Sequence, residues 1–377
     1  MTPTSGQTAI ASERRTLSSV GPTVMPRILG IGTQTTDTAY SQQELLDRFA
    51  IHNRRIRSVF LNSGIERRFL AIPQQDAHFR PETQGELLAK HRTLAIDIGS
   101  TAIRNCLDAI NKRPEDVSYI CCVTTTGFLS PGLSARIAKN MGLSRRCTRL
   151  DVVGMGCNAG LNALNAVTGW TRANPGKLAI MLCVEICSAA YVMDETMRTS
   201  VVNSLFGDGA AAVALMADEA CPTAETPVIL KFNSRIVLDA IEAMRYDWNE
   251  HHGKFSFFLD PDIPYVVGAN VESTIAELLE DTGLRRSDIM HWIVHSGGKK
   301  VIDAVRVNLG LSAHDLRHTS EVLRDYGNLS SGSFLFSLQR LFWEKAPAPG
   351  DYGIMMTMGP GSSIETALIR WPSTMHN

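Results

Sequence analysis

LDVVGMGCNAGLNAL, residues 150–164, carries an apolar strand-like run through glycines 154 and 156 into a small-residue helical pattern, with Cys157 at the turn. A helix N-terminus has unpaired N–H groups and a partial positive charge, and both favour thiolate over thiol. The glycines at 154, 156 and 160 let the backbone turn sharply and leave the sulfur approachable by a large substrate. A buried structural cysteine fits the same stretch, so the neighbouring sequence has to decide.

Outward from this turn, short apolar strands alternate with helical patterns. Strands are predicted at Arg27 to Gly32, Ser118 to Thr124, Thr148 to Val153, Leu178 to Val184 and Ala210 to Leu215, with helices near 43–50, 87–110, 132–141 and 159–173. This is α/β layering. ADEACPTAETP (217–227) breaks the pattern and divides the chain into halves at 26–220 and 221–377, after a loose tail at 1–25. The second half resumes with a strand at Val228 to Phe232, a helix at 267–281, a strand ending at His295, helices at 299–309 and 333–344, and strands at 352–358 and 363–370. FGDGAAAVAL (206–215) and MGPGSSIETALI (358–369) close the two halves alike, which suggests duplication.

Two segments of the second half bear on Cys157. In WIVHSGGKK (292–300), His295 ends a buried strand and Gly297-Gly298 follow; in RDYGNLSSGSFLFSL (324–338), Asn328 stands in a turn before a helix. Singly these are a core histidine and a capping or turn residue. Together they supply thiol, imidazole and amide, a set able to activate a nucleophile and hold an oxyanion.

The 377 residues, 44% hydrophobic and with a formal net charge of −1, describe a globular, enzyme-sized chain without a basic tract for nucleic acid. No apolar run is long enough to span a bilayer, and residues 1–25 lack the apolar stretch of a signal peptide. Eight cysteines without a regular framework indicate a reducing, cytoplasmic setting, and nothing clusters as metal ligands. GDGAAA and GPGSS lack the spacing of nucleotide-binding loops. Arginines 54, 55, 57, 67 and 68 form the densest positive cluster, read either as a solvated helix face or as a phosphate-contacting patch.

Cys157, His295 and Asn328 in that order, with SLFGDGAAAVAL, DYGNLSSGS and MGPGSSIETALI, resemble the type III polyketide synthases of the thiolase superfamily from about residue 26 onward. TTGFLSPGLSA (125–135), MRTSVVNSLFGDG (197–209), AMRYDW (243–248), KFSFFLDPDIPYVVGA (254–269) and VHSGGKKVID (294–303) are most similar to the bacterial members that make 3,5-dihydroxyphenylacetyl-CoA for glycopeptide antibiotics. The resemblance implies a duplicated five-layered αβαβα fold, a cytoplasmic homodimer, malonyl-CoA as substrate and no cofactor beyond the CoA thioesters. It implies that Cys157 carries the acyl chain with His295 as its ion-pair partner, and that His295 and Asn328 donate to the malonyl thioester carbonyl. Phe206 and Phe257 match the phenylalanines beside the family's tunnel.

Of the family's basic triad for the CoA phosphates only Arg55 is matched, Ser58 and Asn62 standing at the other two positions. Arg54, Arg57 and Lys300 are candidate substitutes, with Gly297 beside them. Thr125, Thr126, Cys187, Ala190 and Ser330 are nominated to shape the cavity, and the family's Gly-Phe-Gly-Pro-Gly loop reads here Thr357-Met358-Gly359-Pro360-Gly361. Where plant relatives insert a methionine into the neighbouring subunit, this chain has Ser130. Helper enzymes of the enoyl-CoA hydratase type are implied by the subfamily.

Alternatives within the family are a pyrone or a tetrahydroxynaphthalene as product. Outside it stands a β-ketoacyl synthase III-like enzyme making one condensation. A papain-like protease also runs Cys, His, Asn along its chain, but its CG[SA]C[WY] signature is missing. A scaffold subunit without turnover would have no need of all three polar residues.

Overall fold

The computed structural model describes residues 24–73, 82–192, 194, 196–218 and 226–373. The first half runs β1 (Met25–Thr35), β2 (Ala39–Ser41), α1 (Gln42–Arg48), α2 (Arg54–Leu61), β3 (Arg67–Phe69), α3 (Gln84–Ala109), β4 (Val117–Thr124), α4 (Leu133–Met141), β5 (Thr148–Val153), α5 (Ala159–Ala173), β6 (Leu178–Glu185), α6 (Met197–Leu205) and β7 (Gly209–Asp218). The second runs β8 (Val228–Ile236), β9 (Met244–Asn249), β10 (Lys254–Leu259), α7 (Ile263–Leu279), β11 (Ile289–Val294), α8 (Lys299–Leu309), α9 (Arg317–Tyr326), α10 (Ser333–Glu344), β12 (Tyr352–Gly359) and β13 (Ser363–Arg370).

Nine strands share one sheet in the order β11-β12-β13-β8-β1-β7-β6-β4-β5. The two halves meet where Arg27 of β1 pairs with Val228 of β8. Outward from that join the orders are β1-β7-β6-β4-β5 and β8-β13-β12-β11, and β4–β6 and β11–β12 are parallel where β6–β7 and β12–β13 are antiparallel. The same winding twice is the duplication that the glycine turns suggested.

Side-chain alternation along the strands builds the layers. In β6, Ile180, Leu182 and Val184 face α3 and α4 through Ile98, Ile103 and Ile137, whereas Met181 and Cys183 face Leu161, Leu164 and Val167 of α5. The α5 cluster continues through Phe334, Leu335 and Leu338 of α10 to Met355 and Ala367 of the second half. On the far side Ile354, Met356 and Ile364 meet Val267, Val271 and Ile275 of α7 and Val305 of α8. The result is αβαβα, with α5 and α10 as the middle layer. Because β4 and β6 are covered on both faces, they read as continuous apolar runs.

Most expected elements lie within a few residues of the observed ones. The first strand begins at Met25, inside the segment read as a tail, because its pairing with β7 starts at Met25↔Asp218; residues 1–23 lie outside the described residues, as does 219–225 of the expected break between halves. The α6 helix, the β9–β10 hairpin and α9 were not anticipated. Their polar residues are tied down by partners distant in sequence, as Asp247 of β9 is by Arg198 of α6.

Candidate active site

Cys157 follows β5 by one tight turn, Gly156–Asn158, and α5 starts at Ala159. Gly156 has φ +78°, and a side chain there would collide with Pro360 of the β12–β13 connection. Gly160 sits on the Ser331 carbonyl, where a Cβ would come within 2.2 Å, so α5 can lie directly against the segment that follows Asn328. These contacts place the thiol at the interface of the two halves.

The polar partners come from the second half. His295, just after β11, is 1% exposed. Its Nδ1 contacts Ser333 Oγ, and that hydroxyl donates its single proton to the Ser330 carbonyl at 3.1 Å. Nδ1 is therefore the protonated nitrogen, which leaves the Nε2 lone pair for the cavity. Asn328 is fixed at both ends of its amide: Oδ1 accepts from Ser330 N at 2.8 Å, and Nδ2 donates to the Gly297 carbonyl at 3.2 Å and also faces the Cys157 sulfur as a donor. A bridge to Phe206 ties the Asn328 backbone to the end of α6.

A tunnel of about 610 Å³ leads from the surface between α2 and α8 to Cys157, His295 and Asn328, and Phe206, Phe257, Gly297, Lys300 and Met358 line it too. Behind the sulfur is a small chamber of about 30 Å³, lined by Thr125, Thr126, Cys187, Ala190 and Ser330, all expected there, and by Tyr191, Val202 and Tyr246, which were not. Phe206 and Phe257 belong to both spaces and meet edge to face, with ring centroids 5.8 Å apart, a contact worth about 0.5–1.5 kcal/mol.

Three arginines lie elsewhere than expected. Arg57 turns away from the tunnel to donate to the Ile51 carbonyl and Gln43 Oε1, and it is Ser58 and Asn62 of the same helix that line the wall. Arg55 is exposed and does not line it. Arg68, part of the apparent surface cluster, is fully buried, donating to Tyr191 Oη and to the carbonyls of Asn203 and Phe206. It thus clamps the residue that gates the two spaces.

Glu185, at the end of β6, is the main residue that the sequence reading passed over. Fully buried, it accepts from the backbone of Thr125 and Thr126, from Thr126 Oγ1 at 3.0 Å, from Ser331 Oγ at 2.6 Å and from Ser330 Oγ at 3.3 Å. Ser330 in turn accepts from the Cys157 thiol at 3.6 Å. Burial raises the Glu185 pKa against the pull of these donors. Behind Thr126 stands His91, fully buried and pushed down to about 4, with Nδ1 at 3.3 Å from Thr126 Oγ1. An ionisable residue closing the apolar run LAIMLCVE was the available signal for Glu185.

The expectation that a helix N-terminus acidifies Cys157 is overturned. Burial pushes the thiol up to about 12, the Ser330 contact opposes this and the Glu185 charge adds to it. Burial likewise pushes His295 down to about 3. At neutral pH the resting site therefore holds a protonated Cys157 thiol and an uncharged His295 imidazole. Among the described residues no group of three or more His, Cys, Asp or Glu side chains could hold a metal ion, and no helix is long and apolar enough to cross a membrane.

Residues 13–219 match the family model for the N-terminal domain of chalcone and stilbene synthases, and residues 242–372 match that for the C-terminal domain. The chain is 62% identical to the 3,5-dihydroxyphenylacetyl-CoA synthase of Streptomyces toyocaensis over 92% of its own length and 90% of that protein. It is 58% identical to the enzyme of the same name from Amycolatopsis orientalis, over 93% and 95%. Among solved structures, PKS-I of the brown alga Ectocarpus siliculosus superposes with a TM-score of 0.87 at 27% identity, covering 94% of this chain and 100% of the other.

Proposed function

The chain belongs to the chalcone and stilbene synthase family of type III polyketide synthases, and on that premise we propose that it makes 3,5-dihydroxyphenylacetyl-CoA from malonyl-CoA. The observation that carries this reading is the 62% identity to a synthase of that product across both halves of the fold. The carbon count agrees: four malonyl groups that each lose carbon dioxide leave the eight carbons of a ring and a two-carbon side chain. Three CoA thiols and one water leave as well.

Catalysis needs an acyl carrier and a place for enolate charge. His295 Nε2 takes the Cys157 proton as the sulfur attacks the starter thioester, and the departing CoA thiolate takes a proton in exchange. The next malonyl-CoA enters by the tunnel with its thioester carbonyl between His295 and Asn328. If the Ser333 hydroxyl turns to donate to Nδ1, Nε2 carries the proton, so one imidazole serves as base for loading and as donor for decarboxylation. Loss of carbon dioxide puts negative charge on the thioester oxygen, where the Nδ2 hydrogen of Asn328 that faces the Cys157 sulfur in the resting site turns to the oxygen and, with the imidazole, stabilises it. The enolate carbon then attacks the acyl group on Cys157, and the longer chain returns to the sulfur for the next round.

CoA binding in this reading rests on Lys300 at the tunnel wall with the Gly297 backbone, since Arg57 is engaged elsewhere. A homodimer belongs to the reading as well: β5 is an open sheet edge, and Phe128 and Val153 beside it are 74% and 41% exposed. Helper enzymes of the enoyl-CoA hydratase type would act after ring closure, on dehydration and thioester release. Incubation of the purified protein with malonyl-CoA alone, followed by mass spectrometry, tests the proposal. A 3,5-dihydroxyphenylacetyl product supports it, whereas a pyrone or a naphthalene would keep the family and overturn the product.

A further inference from the structure

Five hydroxyl side chains line the small chamber: Thr125, Thr126, Tyr191, Tyr246 and Ser330. Three spend their protons on the protein, and a fourth, Thr125, is held as an acceptor with its own proton free. Thr126 and Ser330 donate to Glu185, Tyr191 accepts from Arg68 and donates to the Phe206 carbonyl at 2.6 Å, and Thr125 Oγ1 accepts from the Gly156 amide at 3.0 Å. The Tyr246 phenol has no hydrogen-bond partner among the described residues. A half-buried polar group without a partner, lining the space beside the Cys157 sulfur, is held ready for a ligand.

Its position is set by the β9–β10 hairpin. Tyr246 pairs with Phe257 across the ladder, and their rings lie 5.1 Å apart, so the ring is packed while the oxygen stays free. Burial raises the phenol above its ordinary range, and the neighbouring Cys187, Glu185 and Cys157 add to the shift. The group is therefore a donor throughout the working range. A poly-β-ketone chain offers carbonyl oxygens, which are acceptors.

Resting on the reaction proposed above, we propose that Tyr246 is a specificity-determining residue whose Oη donates to a ketone oxygen of the full-length chain and holds it bent for ring closure. In that step the terminal methyl carbon gives up a proton and bonds to the ketone carbon nearest the thioester methylene. The ketone oxygen takes up that proton to become a hydroxyl and leaves as water with a second hydrogen from an adjacent ring carbon, forming a carbon–carbon double bond, and the remaining two ketones enolise to the phenols. No oxidant or reductant enters, and Tyr246 ends with the proton it began with.

Without this donor the chain closes through oxygen instead, as a lactone. Tyr246→Phe removes the hydroxyl and keeps the ring against Phe257. With malonyl-CoA alone it is expected to release carbon dioxide within about twofold of the unmodified protein while the ratio of aromatic product to lactone falls roughly tenfold, the scale of one hydrogen bond. Tyr246→His, which keeps an aromatic ring and an N–H, should retain more aromatic product than Tyr246→Phe, or than Tyr246→Leu if the phenylalanine variant does not fold. An unchanged product ratio, or a loss of carbon dioxide release in step with the aromatic product, overturns the proposal. If the unmodified protein itself gives only lactone, it is the reaction assigned to the chain that fails.

Discussion

The two sides of the Cys157 sulfur are built to opposite plans. Toward the surface lies a tunnel of about 610 Å³ with His295 and Asn328 in its wall, the Asn328 amide facing the Cys157 sulfur. Toward the interior lies a chamber of about 30 Å³ whose hydroxyls, Tyr246 apart, are turned onto Glu185 or the backbone. The difference separates two tasks. On the proposed reaction, enolate charge is made and held on the tunnel side, and the growing chain is shaped on the chamber side. The small chamber cannot take an eight-carbon chain as it stands, so the chain must share the tunnel or part Phe206 from Phe257.

The largest effect expected from breaking this arrangement is at Asn328. Asn328→Ala removes a donor to the enolate oxygen and should lower carbon dioxide release about 10²–10³-fold, while intact-mass analysis still finds Cys157 acylated at nearly the normal rate. Equal loss of acylation would mean that Asn328 holds the Phe206 and Ser330 backbones rather than the substrate.

The next concerns the proton that Cys157 and His295 share. With the thiol held up to about 12 and the imidazole down to about 3, the pair carries one proton between those limits. The fraction present as thiolate with imidazolium is then independent of pH. Iodoacetamide alkylation of Cys157 should be flat between about pH 5.5 and 8, where an ordinary thiol of pKa near 8.5 gains almost tenfold per unit. A rise of that ordinary kind would show that the two groups titrate separately.

The smallest effect separates two basic residues at the entrance. Lys300→Ala should raise the KM for malonyl-CoA several-fold, on the order of 1 kcal/mol, with kcat little changed. Arg57→Ala should leave both within about twofold, because its guanidinium is spent on Ile51 and Gln43. The reverse ranking would mean that the α2 face turns toward CoA on binding.

The tunnel side was legible in the sequence and the chamber side only in part, for a physical reason. Cys157, His295 and Asn328 each stand where an apolar strand or a glycine turn stops, and such boundaries leave marks in local composition. Of the neighbouring strands β6 is buried on both faces and so reads as an unbroken apolar run, and β5, α5 and α8 fall almost to the residue where their flanking glycines put them. Glu185 and Arg68 owe their roles to neighbours more than fifty residues away, and of the two only Glu185, closing an apolar run, carries a local mark. Arg68 looked like part of a charged surface because Arg67 beside it is exposed; strand alternation carries one arginine out and the next in. Tyr246 lies in a hairpin whose alternating Arg245 and Asp247 conceal its apolar face.

The most direct test of this division of labour is Cys157→Ala with malonyl-CoA, measuring carbon dioxide release and carbon–carbon bond formation in the same reaction. If charge stabilisation belongs to the tunnel side, carbon dioxide release continues within about tenfold of the unmodified protein and yields acetyl-CoA, with no condensed product. Loss of carbon dioxide release together with condensation would contradict the account, since it would make the sulfur itself part of the decarboxylating machinery.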